Sequence, residues 1–377
     1  MLLKRSIEEK ILEKLQPNKV VILLGARRVG KTQLVKSILS KINEPYLLLN
    51  GDDVEMLQAL ETRSVSNYNR LLGSTRFLVI DEAQEIPDIG AKLKLMVDSV
   101  DGLKIFVTGS SVFDLTNKLG EPLVGRKTTF YLYPFSQMEF AEQENFFETK
   151  AHLEERLIFG GYPELIHLDQ TKDKIDYLKE QVNSYLLKDI LAYEGIQKRD
   201  KIVSLLQMIA FRIGSELSLE SIGNDLQISK NTVEKYLDLF SKVFIIYKQT
   251  GFRRNLNNEI TKKSKWYFMD NGIRNTLINN FNLINTRDDI GQLWENYLHS
   301  ERTKMLDYKG MHHSSYFWRT HNKQEIDRIE DRDGKLFAYE FKWKESKKVK
   351  APSAFTNAYH NASFECIDRE NYLDFIS

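Results

Sequence analysis

The 377-residue sequence has a single cysteine, Cys366. It cannot close an internal disulfide and cannot supply a cysteine zinc cage, which fits a reducing compartment. Long apolar runs are missing too. Val20–Leu24 is typical of those present, whereas a bilayer-crossing helix needs ~20 apolar residues. The segment Met1–Leu15 mixes Leu and Ile with Lys, Arg and Glu, so it lacks the apolar centre of an export signal. These absences predict a cytoplasmic protein with no membrane partner. There are only seven prolines and no Gly/Ser tract, so no long flexible linker is expected. No internal repeat is present. Neither charge sign dominates: 54 basic residues stand against 53 acidic ones, a net charge of +1. The basic excess is local, in Arg253–Lys265 and Lys342–Lys350. What is present is 42% hydrophobic and 28% charged residues, ordinary for a chain that buries two or three cores.

The first part alternates short apolar runs with helical patterns. Lys19–Leu24, Tyr46–Leu49, Arg76–Ile80 and Lys104–Val107 read as strands; Lys31–Lys41 and Gly90–Val100 read as helices. Such alternation predicts an α/β fold, a parallel sheet with helices on both faces and ligands beyond the carboxyl ends of its strands. Three of those ends carry chemistry.

Gly25-Ala26-Arg27-Arg28-Val29-Gly30-Lys31-Thr32 is a GxxxxGKT loop between a strand and a helix. Its glycines let the backbone N–H groups surround phosphates, and the helix start adds positive potential. Lys31 is placed for the β- and γ-phosphates and Thr32 for Mg²⁺. Gln33 completes the nucleotide-binding stretch. Phe77–Ile80 runs into Asp81-Glu82 about 50 residues later, where Asp81 can hold Mg²⁺ and Glu82 can polarise water. Ile105-Phe-Val-Thr108-Gly109-Ser110-Ser111 ends a third strand in hydroxyls, of which Ser110 is the candidate γ-phosphate sensor.

Together these residues resemble the AAA-superfamily ATPases. Asp81-Glu-Ala-Gln84, Leu123-Val-Gly125-Arg126, Tyr133-Pro-Phe-Ser-Gln-Met-Glu139-Phe140 and Gly160-Gly-Tyr-Pro163-Glu164 occur in the order of one prokaryotic group. Its members are stand-alone ATPases with a winged helix and a C-terminal domain long of unknown function. The resemblance implies ATP and Mg²⁺ as cofactors and hydrolysis of ATP to ADP and phosphate. Ala26 stands where that group often has proline, but the position supplies only backbone. Arg126 is either a γ-phosphate arginine, in cis or from a neighbouring subunit, or a surface arginine in an ion pair. A homo-oligomer is an open possibility.

The middle of the chain reads as helical. Thr171–Tyr193 has apolar residues at helical spacing, and Lys201–Ile213 follows. Ser218–Leu226, the turn Gln227-Ile-Ser229 and Lys230–Phe240 have the spacing of a helix-turn-helix. Val233, Leu237 and Phe240 define a core face, which leaves Lys230, Asn231, Thr232 and Lys235 outward. Val243–Tyr247 and Trp266–Met269 read as a hairpin around a basic loop with Arg253, Arg254, Lys262, Lys263 and Lys265. This winged-helix pattern suggests phosphate contact, hence DNA; domain glue is the alternative.

Further on, Asp289–Leu306 reads as a helix and Ser315–Thr320, Gln324–Glu330 and Lys335–Lys342 as strands around Asp331-Arg-Asp-Gly334. If Glu330 pairs with Lys335, Glu325 lies opposite Glu340 and Asp327 opposite Ala338. Asp327 and Glu340 are then diagonal neighbours ~7–8 Å apart. Lys342 shares their face, and Phe337, Tyr339 and Phe341 form an apolar one. Crowded carboxylates call for a cation, and Mg²⁺ is the natural one for oxygen ligands. Glu295, Asp327, Glu340 and Lys342 resemble the acidic-and-lysine set of the restriction-endonuclease-like fold. Ile326 stands where that fold commonly has proline.

The expected organisation is an AAA-type P-loop domain over 1–165, a helical linker with an α+β winged helix over 166–285, and a small α/β nuclease-like domain over 286–377. The expected function is ATP hydrolysis coupled to binding of DNA, including branched DNA. A signalling or interaction ATPase with a protein partner, or an ATP-regulated metal-dependent nuclease, are the alternatives.

Overall fold

A computed structural model describes residues 3–110, 123–186, 190, 199–252, 264–345 and 349–377. The chain divides into two compact units, Met1–Tyr133 with Lys242–Phe244, and Pro134–Ser241 with Ile245–Ser377.

The first unit is built on five strands: β1 (Lys19–Leu24), β2 (Leu47–Asn50), β3 (Phe77–Asp81), β4 (Lys104–Gly109) and β5 (Lys127–Tyr131). All pairs are parallel, in the order β2-β3-β4-β1-β5. Four strands fall where the apolar runs predict them. The fifth, Lys-Thr-Thr-Phe-Tyr, lacks an apolar run and is made a strand by pairing with β1, Val20 opposite Lys127 through Leu24 opposite Tyr131. Val20–Leu24 and Phe77–Ile80 are buried throughout, as strands covered on both faces must be. The sheet is flanked by helices, among them Lys31–Ser40 and Ile89–Ser99.

The second unit carries six strands: β6 (Ile246–Gly251), β7 (Ser264–Phe268), β8 (Ser314–Arg319), β9 (Glu325–Arg332), β10 (Lys335–Phe341) and β11 (Ser363–Ile367), in the order β11-β10-β9-β8-β6-β7. The helix-turn-helix pattern is present as Arg199–Phe211, Leu219–Leu226 and Lys230–Lys242. Gln227 at the turn takes the left-handed conformation.

Two expectations are corrected here. The hairpin β6–β7 is not a free wing. β6 also pairs in parallel with β8, Thr250 opposite Tyr316 and Gly251 opposite Phe317. Phe252 shares one apolar core with Trp318, Ile326, Ile329, Leu336, Ala338, Phe355 and Tyr359. The expected break at 285/286 is therefore bridged by a continuous sheet and core, and 134–165 groups with the second unit rather than the first. The expected helix Thr171–Tyr193 is α-helical over Thr171–Glu180 and continues as a π turn over Gln181–Leu186; the pattern carries no signal for that change.

Candidate functional site

The phosphate loop follows β1. At Gly25 a Cβ would lie 2.2 Å from the Leu132 carbonyl oxygen, so only glycine fits where the loop crosses the neighbouring chain. Gly30 caps the helix Lys31–Ser40 with φ 96°, and Arg28 is also left-handed at φ 63°. Ala26 and Val29 are buried, Arg27 half-buried and Arg28 exposed. Lys31 is 4% exposed, and its Nζ donates to Gly25 O at 2.9 Å and Ala26 O at 3.0 Å. The ammonium thus spans the inside of the loop. Thr32 and Gln33 are exposed in the first helical turn.

Strand order decides what meets this loop. β4 lies between β1 and β3, so its carboxyl end meets both the loop and Asp81. Thr32 Oγ1 donates to Asp81 Oδ2 at 2.8 Å, and the Thr108 hydroxyl donates to Asp81 Oδ1. Thr108 Oγ1 in turn accepts the Glu82 N–H at 3.2 Å. Glu82 is left-handed at φ 51°, an uncommon conformation for a residue with a side chain and a mark of constrained sites. Gly51 makes room for it: a Cβ there would lie 2.2 Å from Glu82 O. Gln84 Nε2 donates to Glu82 Oε2 at 2.5 Å, and Gln84 Oε1 accepts the Ser110 N–H at 3.3 Å. Thr108 and Gln84 are thus positioning residues that sequence reading named within motifs but gave no such task. Thr32 and Asp81 offer adjacent hard oxygen donors at the loop mouth, a set that fits Mg²⁺.

Arg126 is not brought to this loop. It precedes β5, at the amino end of the strands, and its carbonyl accepts the Val20 N–H at the start of β1. The loop leaves the opposite end. The Arg126 guanidinium pairs with Asp98 within this chain.

In the second unit the carboxylate face forms with a different register. Lys335 lies opposite Arg332 and Tyr339 opposite Arg328, not Lys335 opposite Glu330. The reason is the loop: Asp333 and Gly334 both have positive φ, 49° and 77°, the two-residue hairpin turn that Asp-Gly favours. The shift by two preserves the faces. Continued by one pair, it brings Glu340 directly beside Asp327, and Asp327 Oδ2 accepts the Phe341 N–H at 2.8 Å. Between β8 and β9 the register shifts at Tyr316/Trp318. This bulge lets Ile326 and Ile329, three apart, enter one core. Both sides of β10 are covered: Leu336 and Ala338 enter the core, while Tyr339 and Phe341 pack their rings tilted against Phe375.

Glu295 stands on the helix Ile290–Lys309. Its Oε1 accepts the Tyr267 hydroxyl at 2.6 Å and lies 3.6 Å from Lys265 Nζ. Lys265 is 2.5 Å from Glu325 Oε1, and Lys342 2.6 Å from Glu340 Oε1. Burial pushes the Asp327 carboxyl well above the carboxylate range, and Glu295 and Glu340 add to it. Burial likewise raises Glu295, against the pull of Lys265 and Tyr267. The expected Mg²⁺ ligands Glu295, Asp327 and Glu340 do come near one another, but each carboxylate already meets a proton donor of the chain. Among the described residues no group of three His, Cys, Asp or Glu is arranged to hold a metal ion. The set does not fit a resident divalent ion.

On the helix-turn-helix, Lys230, Asn231 and Lys235 are exposed and Thr232 half-buried. Lys230 Nζ pairs with Glu220 at 2.5 Å, and Glu234 and Asp238 are also exposed on the helix. The Thr232 N–H is taken by Ser229 Oγ at 3.1 Å, an N-terminal cap. Arg253, Arg254, Lys262 and Lys263 lie outside the described residues. No described helix is long and apolar enough to cross a membrane.

Two motifs that drew attention in the sequence prove to be architectural. Ser136 and Glu139 form a capping box, and Gln137 N–H donates to Glu301 Oε2 at 2.6 Å. Gly161 N–H donates to Asp270 Oδ2 at 2.8 Å. A Cβ at Gly160 would meet that carboxylate at 2.1 Å.

Comparison with known proteins agrees with the first unit's geometry. Residues 17–141 match the AAA domain. Residues 150–283 and 290–370 match two domains of unknown function, DUF8612 and DUF4143. An uncharacterised protein of Methanocaldococcus jannaschii is 26% identical over 285 residues, 71% of this chain and 63% of its own length. One from Mycobacterium tuberculosis is 24% identical over 328 residues, 86% of this chain and 70% of its own. The chain thus spans about two thirds of the relatives it matches. Among solved structures, a signal-transduction ATPase with numerous domains from Pyrococcus horikoshii is similar at 12% identity and TM-score 0.32, over 81% of this chain and 47% of that one. A katanin structure is similar at 13% identity and TM-score 0.29, over 52% and 75%.

Proposed function

We propose that the chain binds ATP with Mg²⁺ in its first unit, hydrolyses it to ADP and phosphate, and uses the nucleotide state to control nucleic-acid binding by the second. The observation that carries the ATPase reading is the hydrogen-bonded line Thr32–Asp81–Thr108–Glu82, which joins the phosphate loop to the end of β3. In this reading Lys31 turns from the Gly25 and Ala26 carbonyls to the β- and γ-phosphates. The loop N–H groups from Gly25 to Gln33 complete the cradle. Thr32 and Asp81 hold Mg²⁺, which when bound neutralises phosphate charge. Glu82, fixed by Gln84, orients and polarises the attacking water, and Ser110 senses the γ-phosphate. In a homo-oligomer Arg126 acts on a neighbouring copy.

For the second unit, DNA is the favoured partner. The support is the charge pattern of the sequence, the basic run Arg253–Lys263 together with Lys235 and Asn231. One observation favours the second reading, a signalling ATPase with a protein partner: Glu220 already neutralises Lys230, and Glu234 and Asp238 dilute the positive face. A gel shift with duplex, single-stranded and branched DNA separates the two, run with ATP, with ADP and across a salt series. The DNA reading expects binding that changes with nucleotide and weakens steeply with salt. No shift for any DNA form at low salt overturns it.

A further inference from the structure

We infer that the carboxylate face of the second unit carries its own cation: the Lys265 ammonium is the counter-ion of Glu295 and Glu325, and the face takes up no divalent ion while Lys265 is in place. Lys265 and Tyr267 alternate on β7 and so leave it on the same side. From there Lys265 Nζ reaches Glu325 Oε1 at 2.5 Å and Glu295 Oε1 at 3.6 Å, and the Tyr267 hydroxyl reaches the same Glu295 oxygen at 2.6 Å. Phe317 closes the ammonium from another side, its ring centre 5.4 Å away. Gly214 completes the enclosure, since a Cβ there would stand 3.1 Å from Glu295 Oε1.

Lys265 is 3% exposed. It closes the basic run Arg253–Lys265, in which the sequence alone gives it the look of a phosphate-facing lysine. Its burial withdraws it from any surface contact and turns it to the acids instead. A divalent ion bridging Glu295 and Glu325 needs both carboxylates at about 2–2.6 Å, which would bring a double charge against the ammonium already bonded there. Buried charges persist when paired, and Glu295 and Glu325 on one lysine meet that condition. The chemistry is thus that of an internal ion cluster in the place where the nuclease-like resemblance implies a metal.

The test uses the full-length, nucleotide-free protein and Mn²⁺ as probe, with binding read by calorimetry and unfolding by tryptophan fluorescence. The parent and the Asp327→Asn/Glu340→Gln protein are expected to bind Mn²⁺ equally; binding in the parent that this pair of substitutions abolishes overturns the inference. Lys265→Met is expected to melt at lower temperature and to gain a Mn²⁺ site at least about tenfold tighter than anything in the parent. Adding Glu295→Gln should remove that site. A folded Lys265→Met protein with no gained affinity overturns the assignment. If Lys265→Met does not fold, Lys265→Met/Glu295→Gln, which removes both charges, is expected to recover folding; a double variant as unfolded as the single one refutes the pairing.

Discussion

Glu330 tests how the helix Ile290–Lys309 is held on the second sheet. Its carboxylate is fully buried and bidentate to Arg302, 3.0 Å from Nε and 3.0 Å from Nη2, with Arg328 Nε at 2.7 Å. Burial by itself would raise its pKa, but Arg328 and Arg302 outweigh it and hold the carboxyl down, from an ordinary 4.5 to about 2. A depression of that size corresponds to roughly 3 kcal/mol of stability. Because the folded pKa is the lower one, this contribution is complete above the unfolded value and is lost as pH falls from about 4.5 toward 2. Glu330→Gln removes it at every pH and leaves Arg302 and Arg328 buried without their charge partner, a cost of about 3–5 kcal/mol at pH 7. The four tryptophans, Trp266, Trp294, Trp318 and Trp343, all lie in the second unit. Urea unfolding followed by their fluorescence therefore reports on this unit. The stability gap between parent and Glu330→Gln should be several kcal/mol at pH 7 and should narrow by about 1–2 kcal/mol at pH 3. A gap below about 1 kcal/mol at pH 7, or one that does not change with pH, refutes the argument.

At the nucleotide site, Lys31→Ala should abolish tight ATP binding in a fluorescent-nucleotide titration, whereas Glu82→Gln should keep binding and slow turnover in a phosphate-release assay; unchanged turnover removes Glu82 from its role. Thr108→Val leaves Asp81 Oδ1 and the Glu82 N–H without their shared partner and should cost about 1–3 kcal/mol with lower turnover, checked by melting and phosphate release. Gly51→Ala forces a methyl to 2.2 Å from Glu82 O; the displaced strand end should lower turnover more than nucleotide affinity. Neutralising Arg253, Arg254, Lys262 and Lys263 together should weaken DNA binding and flatten its salt dependence, measured by gel shift, with little change in basal ATP hydrolysis. An unaltered affinity would favour the protein-partner reading.

Much of this was legible in the sequence because its cause is local. The GxxxxGKT loop, the apolar run into Asp81-Glu82 and the helix-turn-helix spacing each act through neighbours in the chain: a turn that only glycine can make, a strand end, a helical period. Asp333-Gly334 belongs here as well, since its turn type alone sets the β9–β10 register, and reading the turn two residues early shifted the pairing while sparing the faces. The tertiary structure decided whatever depends on partners distant in sequence. β5 exists because β1 offers its edge to Lys127–Tyr131. One sheet crosses the 285/286 boundary because β6 finds β8 across some 60 residues of chain. Arg126 lies near the phosphate loop neither in sequence nor in space, since parallel strands send their two ends to opposite sides of the sheet. Lys265 shows the limit most sharply. The sequence leaves it at the end of the basic loop, next to the expected strand Trp266–Met269; whether its charge faces solvent, phosphate or buried acid depends on Glu295 and Glu325 arriving from another helix and another strand, and the energy of a charge is set by what surrounds it in space.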